Sequence, residues 1–442
     1  MYNQNHQFFT MKKLVFIFLV SIFFVSCFQS KKDTPTQASK TLSLEQADEV
    51  GMSELRLSYI DTMLNQAVSD DIIPGAVALV SRRGKLVYHK AFGMADNASE
   101  SVLKQSDIFR IASQTKAITS TAVMMLWEEG KFNLDDPISK YIPEFKDEQI
   151  LETFNETDST YTTKPAEKPI TIRHLLTHTS GLGYGVIDGD HRFRKLYNKA
   201  GIIDLFTTND ISIEDNIKKL AKLPLHHNPG EKFTYSEGLD VLGYFIEIVS
   251  GMPFDAFLKT RIFEPLGMHD TQFYLPESKY NRLVTVQTKE DDTWVKYPIT
   301  FYDTDYPIKG AKRFFSGGAG LTSTAKDYAT FLQMYLNNGE LNGNRLLSRT
   351  TVETILTNQI PYISEDIKAV HGLAFGLVDK KGHDLGGNGS EGTFVWGGYF
   401  NTTYFADPKE EIIGVLLKQT QRIKGDDTSN KFRKLVMQAV DD

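Results

Sequence analysis

Phe109-Arg110-Ile111-Ala112-Ser113-Gln114-Thr115-Lys116 is the stretch on which the reading of this 442-residue chain turns. A short apolar lead, 108–112, runs into a helix predicted over about 113–129 and closed by Gly130. Ser113 and Lys116 stand at i and i+3, so on a helix they share a face and the amine can reach the hydroxyl. Backbone N–H groups at a helix start favour an oxyanion there. Burial beside Ile118, Val123, Met124, Met125, Leu126 and Trp127 can depress the proton affinity of a lysine enough to make it a base. Ser-x-x-Lys alone is a weak pattern, and context separates its three copies. Ser101-Lys104 lies in a polar loop where the lysine stays solvated. Ser323-Lys326 opens a helix, with Thr322 and Ser323 as N-cap residues and Lys326-Asp327 turned to water.

Upstream, Leu55, Ile60, Met63, Leu64 and Ala67 carry helical spacing, and two β-rich runs, 76–81 and 85–92, flank Arg82-Arg83-Gly84, which is hairpin chemistry. Downstream, about 131–310 shows helical spacing at 171–177, 213–223, 239–249 and 254–262 and no strong strand cluster. After Gly317-Gly318-Ala319-Gly320 come helices around 326–336 and 350–356, strands at 372–378, 392–407 and 411–417, and a last helix. Strands near both ends of a helical middle predict an α+β fold. Its antiparallel sheet is built from N- and C-terminal segments flanked by helices, and a mainly helical lobe is inserted.

The stretch 109–116 resembles the nucleophile segment of the serine β-lactamase and penicillin-binding superfamily, found in class C enzymes, DD-peptidases and family VIII carboxylesterases. Other segments similar to that family follow in order: Thr171-Ile-Arg-His-Leu-Leu-Thr-His-Thr-Ser-Gly-Leu182, Asn228-Pro-Gly-Glu-Lys-Phe-Thr-Tyr-Ser236, Phe263-Glu-Pro-Leu-Gly-Met268 and Gly317-Gly-Ala-Gly-Leu-Thr-Ser-Thr-Ala-Lys-Asp327. The resemblance implies a β-lactamase/DD-peptidase-like fold with Ser113 as nucleophile, Lys116 and Tyr235 sharing the base role and proton delivery to the leaving group. Tyr235-Ser236-Glu237 stands where the family has Tyr-x-Asn, so Glu237 replaces an asparagine used in β-lactam amide recognition. Facing the site, its carboxylate would favour protonated Lys116 and shift the base role toward Tyr235; otherwise it points elsewhere.

Where β-lactamases and peptidases carry Lys-Thr-Gly or His-x-Gly on a strand, this chain has Phe394-Val-Trp396-Gly397-Gly398-Tyr399-Phe400, similar to the family VIII carboxylesterase version. Lys380-Lys381-Gly382 is a decoy in a charged turn well before that strand. Trp396 in place of a cation makes the wall apolar, which suits neutral acyl esters better than carboxylate-bearing β-lactams. By the family pattern, the Ser113 and Tyr399 amides form the oxyanion hole, and Gly397 and Gly398 let the strand approach the substrate closely.

Composition excludes several classes. With 41% hydrophobic and 24% charged residues the chain is globular. Its net charge of −7, without a basic run, is no nucleic-acid footprint. One cysteine rules out intrachain disulfides, CxxC redox pairs and multi-cysteine metal sites. That cysteine is Cys27. It ends a signal-peptide layout of Lys12-Lys13, an apolar run at 14–25 and Ser26, a run shorter than the roughly 20 residues that span a bilayer. The segment resembles a bacterial lipoprotein signal, which implies lipidation at Cys27 and membrane attachment in the cell envelope, periplasmic or outer-membrane. Met11 fits as the start better than Met1. The expected layout is a signal peptide at 1–26, a tether at 27–50 and a serine hydrolase domain at 51–442. Within that domain an α/β lobe covers about 51–112 and 311–442, and a helical lobe about 113–310.

His174 and His178 have metal-ligand spacing, i and i+4, but lack a glutamate between them and a third ligand. His178 with Thr179-Ser180-Gly181 reads as a helix-end turn, and His226-His227 as an exposed loop. No metal and no cofactor is expected. The expected function is a serine hydrolase that forms an acyl-enzyme on Ser113, a carboxylesterase acting on a small-molecule acyl substrate. The alternatives are a β-lactamase or D-amino-acid peptidase and, from another class, a non-catalytic peptidoglycan- or ligand-binding lipoprotein.

Overall fold

The computed structural model describes residues 41–363 and 370–442, so the signal peptide, Cys27 and tether residues 27–40 lie outside the described residues. The hairpin at Arg82-Arg83-Gly84 joins β1 (Gly75–Arg82) to β2 (Lys85–Asp96). Arg83 (φ 52°) and Gly84 (φ 75°) both take the left-handed conformation that a two-residue turn between right-twisted strands requires. The C-terminal strands β3 (Phe394–Gly398), β4 (Thr402–Asp407) and β5 (Ile412–Leu417) complete the sheet by placing β5 against β1. The order across the eight-stranded sheet is Ser43–Leu44, β2, β1, β5, β4, β3, Gly376–Leu377, with Ser101–Val102 also on β2. β1 is buried throughout because both faces of the sheet are covered.

The helices against it are α1 (Glu54–Ser69), α4 (Ala325–Leu336) and α5 (Thr428–Gln438), and α2 (Thr115–Glu128) packs on α3 (Gly238–Ser250) in the layer beyond α4. α1 starts where Ser53 Oγ accepts the Arg56 N–H, and it buries Leu57, Ile60, Leu64 and Ala67 at spacings of three and four. Leu55, counted in the expected stripe, is on the outer side. α1 and α5 pack with Ala76, Ala78, Val80, Phe405 and Leu416 of one sheet face. The opposite face, through Val77, Leu79, Tyr404 and Val415, shares one core with α2, α3 and α4. That core runs without a break into the helical middle, so 112/113 and 310/311 are not boundaries between separate cores.

Three expectations need correction. The tether does not reach residue 50: Ser43–Leu44 pairs with β2, and Ala47 and Val50 are buried in the α1 core. The middle holds two small hairpins, Gln149–Phe154 with Tyr161–Pro165 and Gln287–Glu290 with Thr293–Lys296, whose polar sequences carry no alternating apolar signal. At the third Ser-x-x-Lys, Thr324 is the N-cap, and Asp327 is buried, accepting the Asp270 N–H and the Thr271 hydroxyl. Ser101 and Lys104 are exposed, and Lys380–Asp384 is a short exposed helix.

Candidate active site

Ser113 lies in a single 3-10 turn, Ala112–Gln114, that leads directly into α2. Ala112 has φ 45°, a conformation that costs an L-residue roughly 1–3 kcal/mol and persists only where its surroundings enforce it. Phe109–Arg110 pairs with Thr322–Ser323, the Ile111 N–H donates to Leu321 O at 3.1 Å, and Tyr328 OH donates to Gln114 O at 2.9 Å. Arg110 is buried and reaches three separate segments, donating to Thr304 O (2.6 Å), Val284 O (2.7 Å) and Gln419 Oε1 (3.2 Å). β3 closes on the turn from the other side. A Cβ at Gly398 would lie 2.5 Å from Ile111 O, so only glycine allows this approach. The result is an open groove of about 560 Å³ whose lining includes Ser113, Phe233, Tyr235, Trp396, Gly397 and Gly398. Ser113 is half-buried in it, and no hydrogen bond to its Oγ is present among the described residues.

Lys116, one helical turn on, is buried. Its Nζ donates to Tyr184 OH at 2.9 Å and to Gly318 O at 2.8 Å, and it stands 4.6 Å from the centre of the Tyr235 ring. Two directions of the amine are thus fixed. Gly318 donates its own N–H to Asp240 Oδ1 at 3.3 Å, and a Cβ there would lie 2.6 Å from Asp240 Oδ2. Tyr184, Gly318 and Asp240 therefore set the position of Lys116, and none of the three stood out in the sequence. The available signals were only that Tyr184 follows the stretch ending at Leu182 and that Gly318 lies in the stretch 317–327.

Glu237, at the position of the family asparagine, does not line the groove. It is buried, neither carboxyl oxygen has a hydrogen bond within normal distance, and its charged neighbours are Asp204, Asp240 and Lys116. Burial first, then Asp204, pushes its carboxyl well above the usual range; burial also raises Asp240. A folded state that binds this extra proton loses stability as pH rises from the unfolded carboxyl value through the raised native one. Glu237→Gln cannot ionise and keeps the shape of the protonated acid. Its Tm advantage over the wild type is expected to be near zero in acid and to widen with rising pH in a thermal-melt series. A constant difference across pH contradicts the assignment.

A model of the Beta-lactamase family matches residues 60–438. The chain belongs to the beta-lactamase family. Among curated relatives, Esterase EstB of Burkholderia gladioli is 30% identical over 376 residues, 82% of this chain and 90% of its own length. Lovastatin esterase of Penicillium rubens is 29% identical over 380 residues, 80% of this chain and 91% of its own. The solved structure of EstCE1, a hydrolase with promiscuous acyltransferase activity, superposes with a TM-score of 0.74 at 25% identity, covering 90% of this chain and all of that one.

In this member of the beta-lactamase family, Tyr235 is held by His178. The His178 carbonyl accepts the Thr234 N–H at 2.8 Å, its Nδ1 accepts the Ser236 N–H at 3.3 Å, and its ring lies 4.7 Å from the Tyr235 ring. Burial, then His371 and Lys116, holds the imidazole well below its ordinary range, so Nδ1 stays an acceptor. His178 does follow the helix end, with φ 55°, but it is buried and structural to the site. His178→Ala is expected to cost about 1–3 kcal/mol by orphaning the Ser236 N–H, and roughly tenfold or more in kcat through a displaced Tyr235. His178→Asn, which tolerates positive φ and offers an acceptor, recovers most of both in denaturant titration and steady-state kinetics. Equal losses in the two variants would contradict this role.

The remaining residues are also placed. Trp396 lies 5.9 Å from the Tyr235 ring and at right angles to His371. Tyr399 directly follows Gly398, its ring against Phe206, Tyr302 and Phe400 and its carbonyl accepting from Gln421. His226-His227 is not an exposed loop: His226 stacks on Phe193 at 3.4 Å and bonds Asp188, while His227 bonds Thr234.

Proposed function

We propose that the chain is a carboxylesterase that forms an acyl-enzyme on Ser113. The observation that carries the reading is the lining of the groove: none of its ten residues bears a charge, and Trp396 occupies the strand position where a cation would hold a substrate carboxylate. A carboxylate-bearing β-lactam or D-peptide entering there would lose water without gaining a charged partner. A neutral ester meets Phe233, Tyr235 and Trp396 instead. The names of the esterase relatives support the same reading.

Ser113 Oγ attacks the ester carbonyl and its proton passes to the free direction of Lys116 Nζ, whose other two directions are occupied by Tyr184 and Gly318. The Ser113 and Tyr399 amides are assigned to the carbonyl oxygen as it becomes an oxyanion. Tyr235, over which the amine lies, passes a proton to the departing alcohol. Water then attacks the acyl-enzyme by the reverse proton path and frees Ser113 and the acid. With p-nitrophenyl butyrate and nitrocefin compared on one preparation, kcat/KM is expected to favour the ester by at least ~100-fold. Equal or better nitrocefin turnover overturns the reading, and no labelling by a fluorophosphonate favours a non-catalytic binding protein. The lipoprotein signal supports an envelope location through a lipid on Cys27, which palmitate labelling of cells tests.

A further inference from the structure

The groove does not stop at its aromatic wall. Along β3 the side chains alternate: Trp396 and Gly398, opposite Tyr404 and Thr402, face the side of Ser113, whereas Gly397, opposite Thr403, faces the side covered by α5. Yet Thr403 and Ser429, on that far side, line the same groove as Ser113 and Trp396. The passage between them crosses the outer edge of β3. Gly376–Leu377 pairs only as far as Val395, and beyond it two consecutive glycines present no side chain. We propose that the groove continues over Gly397–Gly398 into a second subsite made by Asn401, Thr403 and Ser429, and that this subsite takes the neutral, hydroxylated alcohol part of a polyol or glycoside ester. The inference rests on the esterase reading and names its substrate class.

The chemistry of the subsite selects the ligand. Ser429 Oγ accepts from Lys418 Nζ at 3.3 Å and keeps its own proton to donate. Asn401 Nδ2 gives one of its two hydrogens to Thr420 at 2.7 Å, which leaves a second N–H as a donor and Oδ1 as an acceptor. The bond from Thr403 Oγ1 to Trp396 O is long, 3.4 Å. At the crossing, Thr402 Oγ1 is buried, has no hydrogen-bond partner and would lie 2.3 Å from a Cβ at Gly398. Donors and acceptors are thus mixed, as hydroxyl groups require. Lys418 behind them is paired with Asp426 and buried, and none of the lining residues is charged, so an anionic ligand has no charged partner among the lining residues. The aromatic wall on the Ser113 side suits the acyl group, so the alcohol part is the one that crosses the glycines.

The test compares an acetylated methyl glucoside with propyl acetate on the full chain. The wild type is expected to favour the glucoside in kcat/KM by about tenfold or more, and Thr403→Val with Ser429→Ala to lose about tenfold on the glucoside while propyl acetate changes less than about twofold. Hydrolysis of propyl acetate with no preference for the glucoside, or equal losses on both esters in the double variant, sinks the subsite and leaves the esterase standing. Hydrolysis of neither ester by the wild type sinks both. The wild-type ratio needs no variant to fold.

Discussion

Ser113→Ala is expected to lower kcat/KM for p-nitrophenyl butyrate by at least ~10⁴-fold and to abolish fluorophosphonate labelling. The fold should not notice. Ser113 Oγ has no hydrogen bond to lose among the described residues, and the side chain is only half-buried in an open groove. The turn that presents it is held by other groups: Arg110, the Leu321 carbonyl and the Tyr328 hydroxyl. Alanine also suits the local 3-10 geometry. A thermal melt should therefore stay within about 0.5 kcal/mol of the wild type. Labelling or turnover that survives the substitution removes Ser113 from the mechanism, whatever becomes of the esterase activity.

Lys116→Met carries the second large expectation, a fall of at least ~10³-fold in kcat/KM. Unlike Ser113, Lys116 is wired into its surroundings. Methionine fills much of the same volume but leaves Tyr184 OH and Gly318 O without their donor, at a cost of about 1–3 kcal/mol for each group left unpaired. Loss of stability and loss of rate therefore have separate causes and separate readouts. Denaturant titration reports the orphaned groups, and the rate of fluorophosphonate labelling reports the missing base. Lys116→Met retaining more than about a tenth of wild-type kcat/KM would move the base role to Tyr235.

Much of this was legible from residue order. The hairpin at Arg83-Gly84, the helix after Ser113 and the strands near both ends are short-range patterns, and each reads within a window of about a dozen residues. Ser113 and Lys116 could be paired from spacing, because i and i+3 share a helix face wherever the helix lies. The same rule could not separate them from Ser323 and Lys326 without the apolar context around α2.

What spacing could not supply is the partner of each polar group. Lys116 bonds Tyr184 and Gly318, distant by 68 and 202 residues. His178 meets Ser236 across 58 residues, and Arg110 meets Gln419 across 309. His226 looked exposed because His226-His227 runs into Asn228-Pro229; the ring of Phe193 covers it. Whether Glu237 faces the groove was open from its place after Tyr235; the start of α3 turns it inward against Asp204. The sequence by itself determined the α+β order of elements, the family and the candidate serine and lysine, because periodicity and local motifs act over a few turns. The tertiary structure alone decided which hydrogen-bond acceptors surround that lysine and which carboxyls burial pushes upward. Desolvation and hydrogen bonding depend on what packs against a group, and in this fold that is chain from far along the sequence.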